Sequence, residues 1–210
     1  QFRDIFDSLK QDMPILTEAV MNMSDLAQSN FGLILFSALG SILGTRMLIK
    51  THRGRRVWDA LILRIPVFGP LIQKTIVSRF SGTFATLIRS GVPILGALEI
   101  VSKTTGNVHY SEAIEKSAEA VRQGENLGNP LTRTKRFPPM VCRMIAIGER
   151  SGSLEQLLEK VSQFYDSEVR STVKQLTSLI EPFLILFMGG VVGTMVLAMF
   201  LPLLQMIGNM

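Results

Sequence analysis

FLILFMGGVVGTMVLAMFLPLLQMIG, residues 183 to 208, contains no charged side chain. As a helix it would extend roughly 39 Å, more than the ~30 Å thickness of a hydrocarbon core. A helix buried in a soluble protein seldom needs so long an uncharged run, so this stretch reads as a transmembrane helix. The rest of the chain agrees. Of its 210 residues 47% are hydrophobic and 19% charged, with mean hydropathy +0.30. An ordinary soluble domain carries about a quarter charged residues, so the composition points to a membrane protein.

A second apolar run, FGLILFSALGSILGTRMLI at 31 to 49, has one charge, Arg46, close to its end. Its roughly 28 Å of helix also suits a bilayer, and Arg46 can reach the headgroups along its aliphatic stem. The two runs divide the chain into an outer segment 1–30, a span 31–49, a middle segment 50–182 and a span 183–208. Segment 1–30 holds Arg3 and Lys10 against five acids, net −3. Segment 50–182 holds 19 basic and 12 acidic residues, net +7. The cluster KTHRGRR, residues 50 to 56, abuts the first span, where the positive-inside bias acts most strongly. The middle segment is therefore expected to be cytoplasmic and both ends external. No hydrophobic leader precedes residue 31, so the chain is expected to be the later part of a longer protein. Beside a span, KTHRGRR is a topology signal and an anionic-lipid contact. No aromatic stacking platform accompanies it, which argues against nucleic acid.

Between the spans, glycine and proline punctuate helix-length stretches, and strand alternation is absent. VWDALILR, 57 to 64, is amphipathic. From Leu71 to Ser90 apolar residues fall at 72, 76, 80, 84, 87 and 88, a helical stripe. Gly91 suits a left-handed stop and Pro93 the first turn of the next helix, ILGALEIVSK. Ser111 is the expected N-cap of EAIEKSAEAVRQ, which stops at Gly124. A short helix lies near NPLTRTK (129–135), and FPP (137–139) starts MVCRMIAIGER. The fold class is therefore all-α: a cytoplasmic bundle of about six helices flanked by two transmembrane helices.

GERSG, residues 148 to 152, decides between catalyst and scaffold. Gly152 suits a left-handed C-cap, and Ser153 with Gln156 would form a capping box. From there apolar residues recur at 154, 157, 158, 161, 164, 165, 169, 173, 176, 179 and 180, so one helix is expected to run from the bundle into the second span. GERSG is thus a helix–turn–helix connection. It is not a nucleophile elbow, because the serine is misplaced and no strand precedes it. No P-loop motif occurs anywhere. Glu149 is expected to be a solvated or ion-paired carboxylate holding the corner, with direct partner binding as the alternative. The one cysteine, Cys142, lies in apolar sequence and reads as a packed thiol. His52 and His109 are not spaced as a metal pair. No catalytic residue, cofactor or metal is expected.

FSGTFATLIRSGVPILGALEIVSKTTGN, FPPMVCRMIAIGERSGSLEQLLEKVSQFYDSEV and LTSLIEPFLILFMGGVVGTMVLAMFLPLL resemble the type II secretion F domain. That is the family of general secretion protein F and the type IV pilus platform proteins of bacterial inner membranes. The SGVP turn, the FPP helix start, the GExSG turn and the EPxL entry to the last span stand in the family's order. The resemblance covers essentially the whole chain. Members usually carry two copies of the domain, and one is present here. GENLGNPL departs from the usual Gly-x-Ser-Leu-Ser pattern, with asparagines where capping serines are common. The family implies a non-enzymatic platform beneath a growing pilus or pseudopilus. Its cytoplasmic part would dock a hexameric assembly ATPase, and its spans would help move pilins or pseudopilins out of the bilayer. Other inner-membrane assembly proteins, membrane lipids and further copies of the chain are the remaining expected neighbours.

Particular residues then acquire candidate roles. Gly40 with Gly44, and Gly189 with Gly193, are small-residue pairs four apart that let helices approach closely, for packing between spans or as a pilin groove. Pro182 removes a backbone donor where the long helix would enter the bilayer and is a candidate kink. Arg53, Arg55 and Arg56 are candidate ATPase or lipid contacts. A transporter or channel subunit is the rival reading, for which Thr194 and Gln205 in the second span are thin support.

Overall fold

The computed structural model describes Asn22, Leu26 and residues 29 to 208, so nearly all of the expected outer segment lies outside the described residues. From Phe31 onward the chain is a succession of helices: α1 (Phe31–Lys50), α2 (His52–Arg64), α3 (Phe68–Arg89), α4 (Ile94–Thr104), α5 (Val108–Arg122), α6 (Gly128–Thr134), α7 (Pro139–Ser151) and α8 (Leu154–Gly208). No strand occurs among the described residues. Six helices thus separate the apolar α1 from the long α8. The chain divides into two compact units, one spanning Arg46–Leu176 and one taking in the described residues up to Thr45 and from Thr177.

The first unit is the helical bundle, and its stops are set by local backbone chemistry. Gly91, Gly124 and Gly152 all take positive φ, at 80°, 92° and 69°, where a Cβ would be strained. After α3 the Gly91 and Val92 amides turn back to the Ile88 and Leu87 carbonyls, which closes the last turn. Pro139 opens α7, where a missing N–H costs nothing. Three expected caps are corrected. α5 starts at Val108, capped by Asn107, whose side chain accepts from the His109 and Tyr110 amides. Ser111 lies inside that helix and donates instead to the Ser102 carbonyl at 2.8 Å. The Ser153 hydroxyl meets Ser151 Oγ at 2.6 Å rather than capping α8. α6 begins without any side-chain cap, so the asparagines of GENLGNPL do not replace a capping serine. α2 also begins at His52, five residues before the amphipathic stretch that announced it.

The core gathers on α3. Val77, Phe80 and Phe84 are shut from water and belong to one buried cluster with Leu98 and Val101 of α4, Ile114 of α5, Leu131 of α6 and Val141 and Ile145 of α7. α8 contributes Leu154, Leu158, Val161 and Tyr165, the stripe that a 3.6-residue repeat puts on one face. Each such aliphatic side chain contributes about 1.5–3 kcal/mol by leaving water. Phe137 is the aromatic hinge of this core, 4.8 Å from Phe80 and 5.3 Å, edge-on, from Tyr110. Cys142 is buried as expected, and desolvation pushes its thiol up, away from the reactive thiolate.

α2 and α3 meet at an elbow of 109°. Val67 at its tip takes φ 81° and ψ −55°, a region that costs a β-branched residue about 1–3 kcal/mol. The elbow closes because residue 69 is glycine: a Cβ there would overlap the Leu63 carbonyl oxygen.

In the second unit, α8 from Leu179 to Phe200 exposes large apolar side chains on every face. Among the described residues α8 is the one helix long and apolar enough to cross a membrane, and the apolar part of α1, Phe31–Met47, is shorter. The helical assignment of α8 continues through Pro182 without a break.

The buried Tyr110 hydroxyl donates to the Arg136 carbonyl at 3.0 Å. Burial pushes its pKa up to about 12. The neutral phenol is therefore favoured by folding, and its contribution is present below pH ~10 and lost as pH rises towards 12. Tyr110→Phe is expected to cost about 1 kcal/mol near neutrality. It should also flatten the alkaline loss seen in thermal unfolding of the parent between pH 10 and 12. An unchanged alkaline profile would show that this phenol does not set it.

Candidate functional site

α3 and the first turns of α8 run antiparallel and are joined by a polar seam. Arg89 donates from Nε to Glu155 at 2.7 Å and from Nη2 to Glu159 at 2.8 Å. Further along, Ser162 Oγ donates to the Ser78 carbonyl at 3.1 Å. Ser78 Oγ lies 3.3 Å from both the Ser162 carbonyl and the Asp166 carboxylate. Lys74 Nζ reaches Glu168 at 2.9 Å and the Thr172 hydroxyl at 3.1 Å. The hydrogen bond Arg89 donates to Glu155, with the charges of both glutamates, raises Arg89 above its ordinary guanidinium pKa. Asp166 is held below the usual carboxylate range, chiefly by its hydrogen bond from Arg170. Exposed ion pairs contribute little singly. Their effect here is register, because each level fixes one turn of α8 against one turn of α3.

α2 is fastened to the bundle by a different device. Asp59, nearly buried, accepts the Val108 amide at 2.8 Å on its carboxylate and the Asn107 side-chain amide at 3.4 Å on its carbonyl. A carboxylate at the first amide of α5 also suits that helix's positive end. Arg56 pairs with Glu112, whose pKa this hydrogen bond lowers. Of the three arginines named from sequence, Arg56 is thus turned onto the bundle. Arg53 and Arg55 are exposed and make no ion pair among the described residues.

Glu149 makes no ion pair among the described residues, and its Oε2 is secluded from water without a hydrogen-bond partner. The corner it occupies is closed by Gly148, where a Cβ would come within 2.8 Å of the Leu154 Cα. At Gly40, Gly44, Gly189 and Gly193 an added Cβ would meet nothing within 4 Å. Those four glycines are open in this structure, and Gln205 lies among residues whose side chains are not described.

Two features escape sequence reasoning. The seam is one, because nothing local couples Lys74 to Glu168. The other is a cleft of about 460 Å³ lined by His109, Glu112, Lys116, Arg133, Thr134 and Arg136. Its acid is already held by Arg56, while Lys116 and Arg136 carry no ion pair among the described residues, so the cleft is basic. The run RTKR, residues 133 to 136, was its one signal in the sequence. No metal-sized cluster of His, Cys, Asp and Glu occurs among the described residues.

Compared with known proteins, residues 80–202 match the family profile described as type II secretion system (T2SS), protein F. The chain is 39% identical over 207 residues to the type IV pilus assembly protein PilC of Myxococcus xanthus, covering 99% of this chain and 50% of that protein. It is 43% identical over 211 residues to the PilC of Thermus thermophilus, covering 100% and 52%. It is 36% identical over 202 residues to the type II secretion system protein F of Pseudomonas aeruginosa, covering 96% and 50%. The chain spans about half the length of the curated relatives it matches.

Gly82 sits at the centre of the seam, where an added Cβ would lie 2.8 Å from Ser162 Oγ. In Gly82→Ala the serine hydroxyl can rotate away, and the lost hydrogen bond of about 1 kcal/mol is offset by alanine's ~0.5–1 kcal/mol helix advantage. Gly82→Leu cannot be accommodated so, and is expected to cost about 1–3 kcal/mol by forcing the helices apart. Thermal unfolding and limited proteolysis around residues 166 to 172 read the difference. A leucine variant that melts like the parent would show that α3 and α8 are not in contact there.

Proposed function

This chain belongs to the type II secretion system protein F family, and from that membership we propose that it forms part of an inner-membrane platform in a type IV pilus or type II secretion machine. α1 and residues 183–208 of α8 cross the bilayer, and the bundle stands on the cytoplasmic side. A hexameric assembly ATPase works against the bundle, and pilins or pseudopilins move past the helices in the membrane. The observation that carries this reading is the breadth of the match. Pilus assembly and secretion relatives are alike similar along nearly the whole chain, which favours the part those machines share. Nothing in the comparisons supports the transporter or channel alternative.

The role is contact rather than catalysis. The basic cleft between α5 and α6 takes an acidic segment of the ATPase, and the seam hands displacement of the bundle to α8. Glu149 marks the GERSG corner as a second contact. Gly40, Gly44, Gly189 and Gly193 form the faces open to pilin helices or to further platform helices. Lys116→Glu combined with Arg136→Glu is expected to leave the bundle folded, since the Arg136 side chain is exposed and only its carbonyl serves Tyr110. Co-purification of the ATPase with the platform in native membranes should fall sharply. Undiminished co-purification would remove the cleft from the interface.

Pro182 gives α8 a weak point near the membrane entry. Pro182→Ala is expected to preserve membrane insertion and thermal stability while reducing surface pili or secreted substrate. Wild-type piliation or secretion by this variant would exclude the kink from the mechanism.

A further inference from the structure

The helix that follows α1 leaves an apolar face uncovered. Val57, Leu61, Val67 and Phe68 expose half or more of their surface, Val57 at 69% and Phe68 at 55%, and Trp58 and Ile65 each expose 39%. At 100° per residue Val57, Leu61 and Trp58 fall in an arc of roughly 100°. Asp59 and Leu63, which hold α2 to the bundle, project from the opposite side of the helix. The exposed face is therefore not the one used for folding. Arg53, Arg55 and Arg64 border it, all exposed and none ion-paired among the described residues.

We infer that α2 and the elbow lie in the headgroup layer of an anionic bilayer leaflet, with Val57, Trp58, Leu61, Ile65 and Phe68 at the acyl boundary and Arg53, Arg55 and Arg64 among the lipid phosphates. The inference rests on the membrane reading of α1 proposed above. Three observations select lipid as the occupant. α2 begins one residue after the apolar α1 ends, so a chain anchored by α1 holds α2 within reach of the membrane surface. An apolar arc carrying tryptophan, with arginines flanking it, is the composition that partitions to an interface. Charge disfavours the other simple occupant: a second copy docking by the same face would bring a second set of these three exposed arginines to the interface with no acid on the face to offset them. Anionic phosphates neutralise the same three charges. The 109° elbow then has a use. It takes α3 off into the core, so the apolar face ends at Phe68 and is not continued into the bundle.

Trp58 is the only tryptophan in the chain, so its fluorescence reports this face without mutation. The whole chain is reconstituted into vesicles of phosphatidylcholine and phosphatidylglycerol, and flotation first establishes that it is membrane-bound. The expected result is blue-shifted Trp58 emission that loses most of its intensity to lipids brominated near the headgroup and little to aqueous acrylamide. Replacing phosphatidylglycerol by phosphatidylcholine, or Arg53, Arg55 and Arg64 together by glutamine, should weaken the lipid quenching while the protein still floats. Floating protein whose Trp58 is quenched by acrylamide overturns this inference alone. Trp58 protected from both quenchers also overturns it, since protein then covers the face. Failure to float overturns the membrane reading, and this inference with it.

Discussion

Phe80 and Phe84, closed off from water on α3, are the packing constraint around which the bundle is organised. Two large rings one turn apart need partners on several sides: they tilt against each other, Phe80 meets Phe137, and the cluster around them draws buried residues from α4, α5, α6, α7 and the start of α8. Because α3 is committed to the centre, its two edges become the attachment points for what flanks the bundle. Its N-terminal end carries the elbow to α2, closed over Gly69, and one flank carries the polar seam to α8. A change in the position of α3 would be felt at both attachments, since close-packed cores shift as blocks.

α8 has to satisfy two solvents along one chain of backbone hydrogen bonds. Up to Tyr165 it buries one stripe and shows water polar and charged residues such as Lys160 and Gln163. Beyond Glu181 no charged residue remains, and from Phe183 to Phe200 large apolar side chains face outward, with Ala198 the one buried apolar residue among them. A soluble environment would leave that second surface unpaid for, since contiguous exposed apolar area marks an interaction or membrane surface. A helix keeps every backbone donor and acceptor satisfied through such a change of surroundings, so its continuity through Pro182 requires no extra fold element.

Much of this was legible in single residues. Gly91 and Gly152 stop helices because of their own backbone angles, and Pro139 opens one because of its own missing donor; these are local facts. Asn107 against Ser111 was not local. Both are good caps four residues apart, and Asp59, from a different helix, takes the Val108 amide that belongs to the earlier start. α2 was shortened in the sequence reading because the arginines of KTHRGRR carry no apolar period, although one of them, Arg56, has a partner on α5. The seam left no local signal, and the basic cleft left only the run RTKR. Each is assembled from residues tens of positions apart, and one sequence does not record which distant turns meet.

The polar groups of the bundle sort by what they hold. Asp59, Lys74, Ser78, Arg89, Glu112 and Ser162 each tie one helix to another. What the fold leaves unengaged is of another kind: the basic cleft, the apolar face of α2 and the secluded oxygen of Glu149. The last belongs to a half-buried side chain at the GERSG corner that no other helix engages.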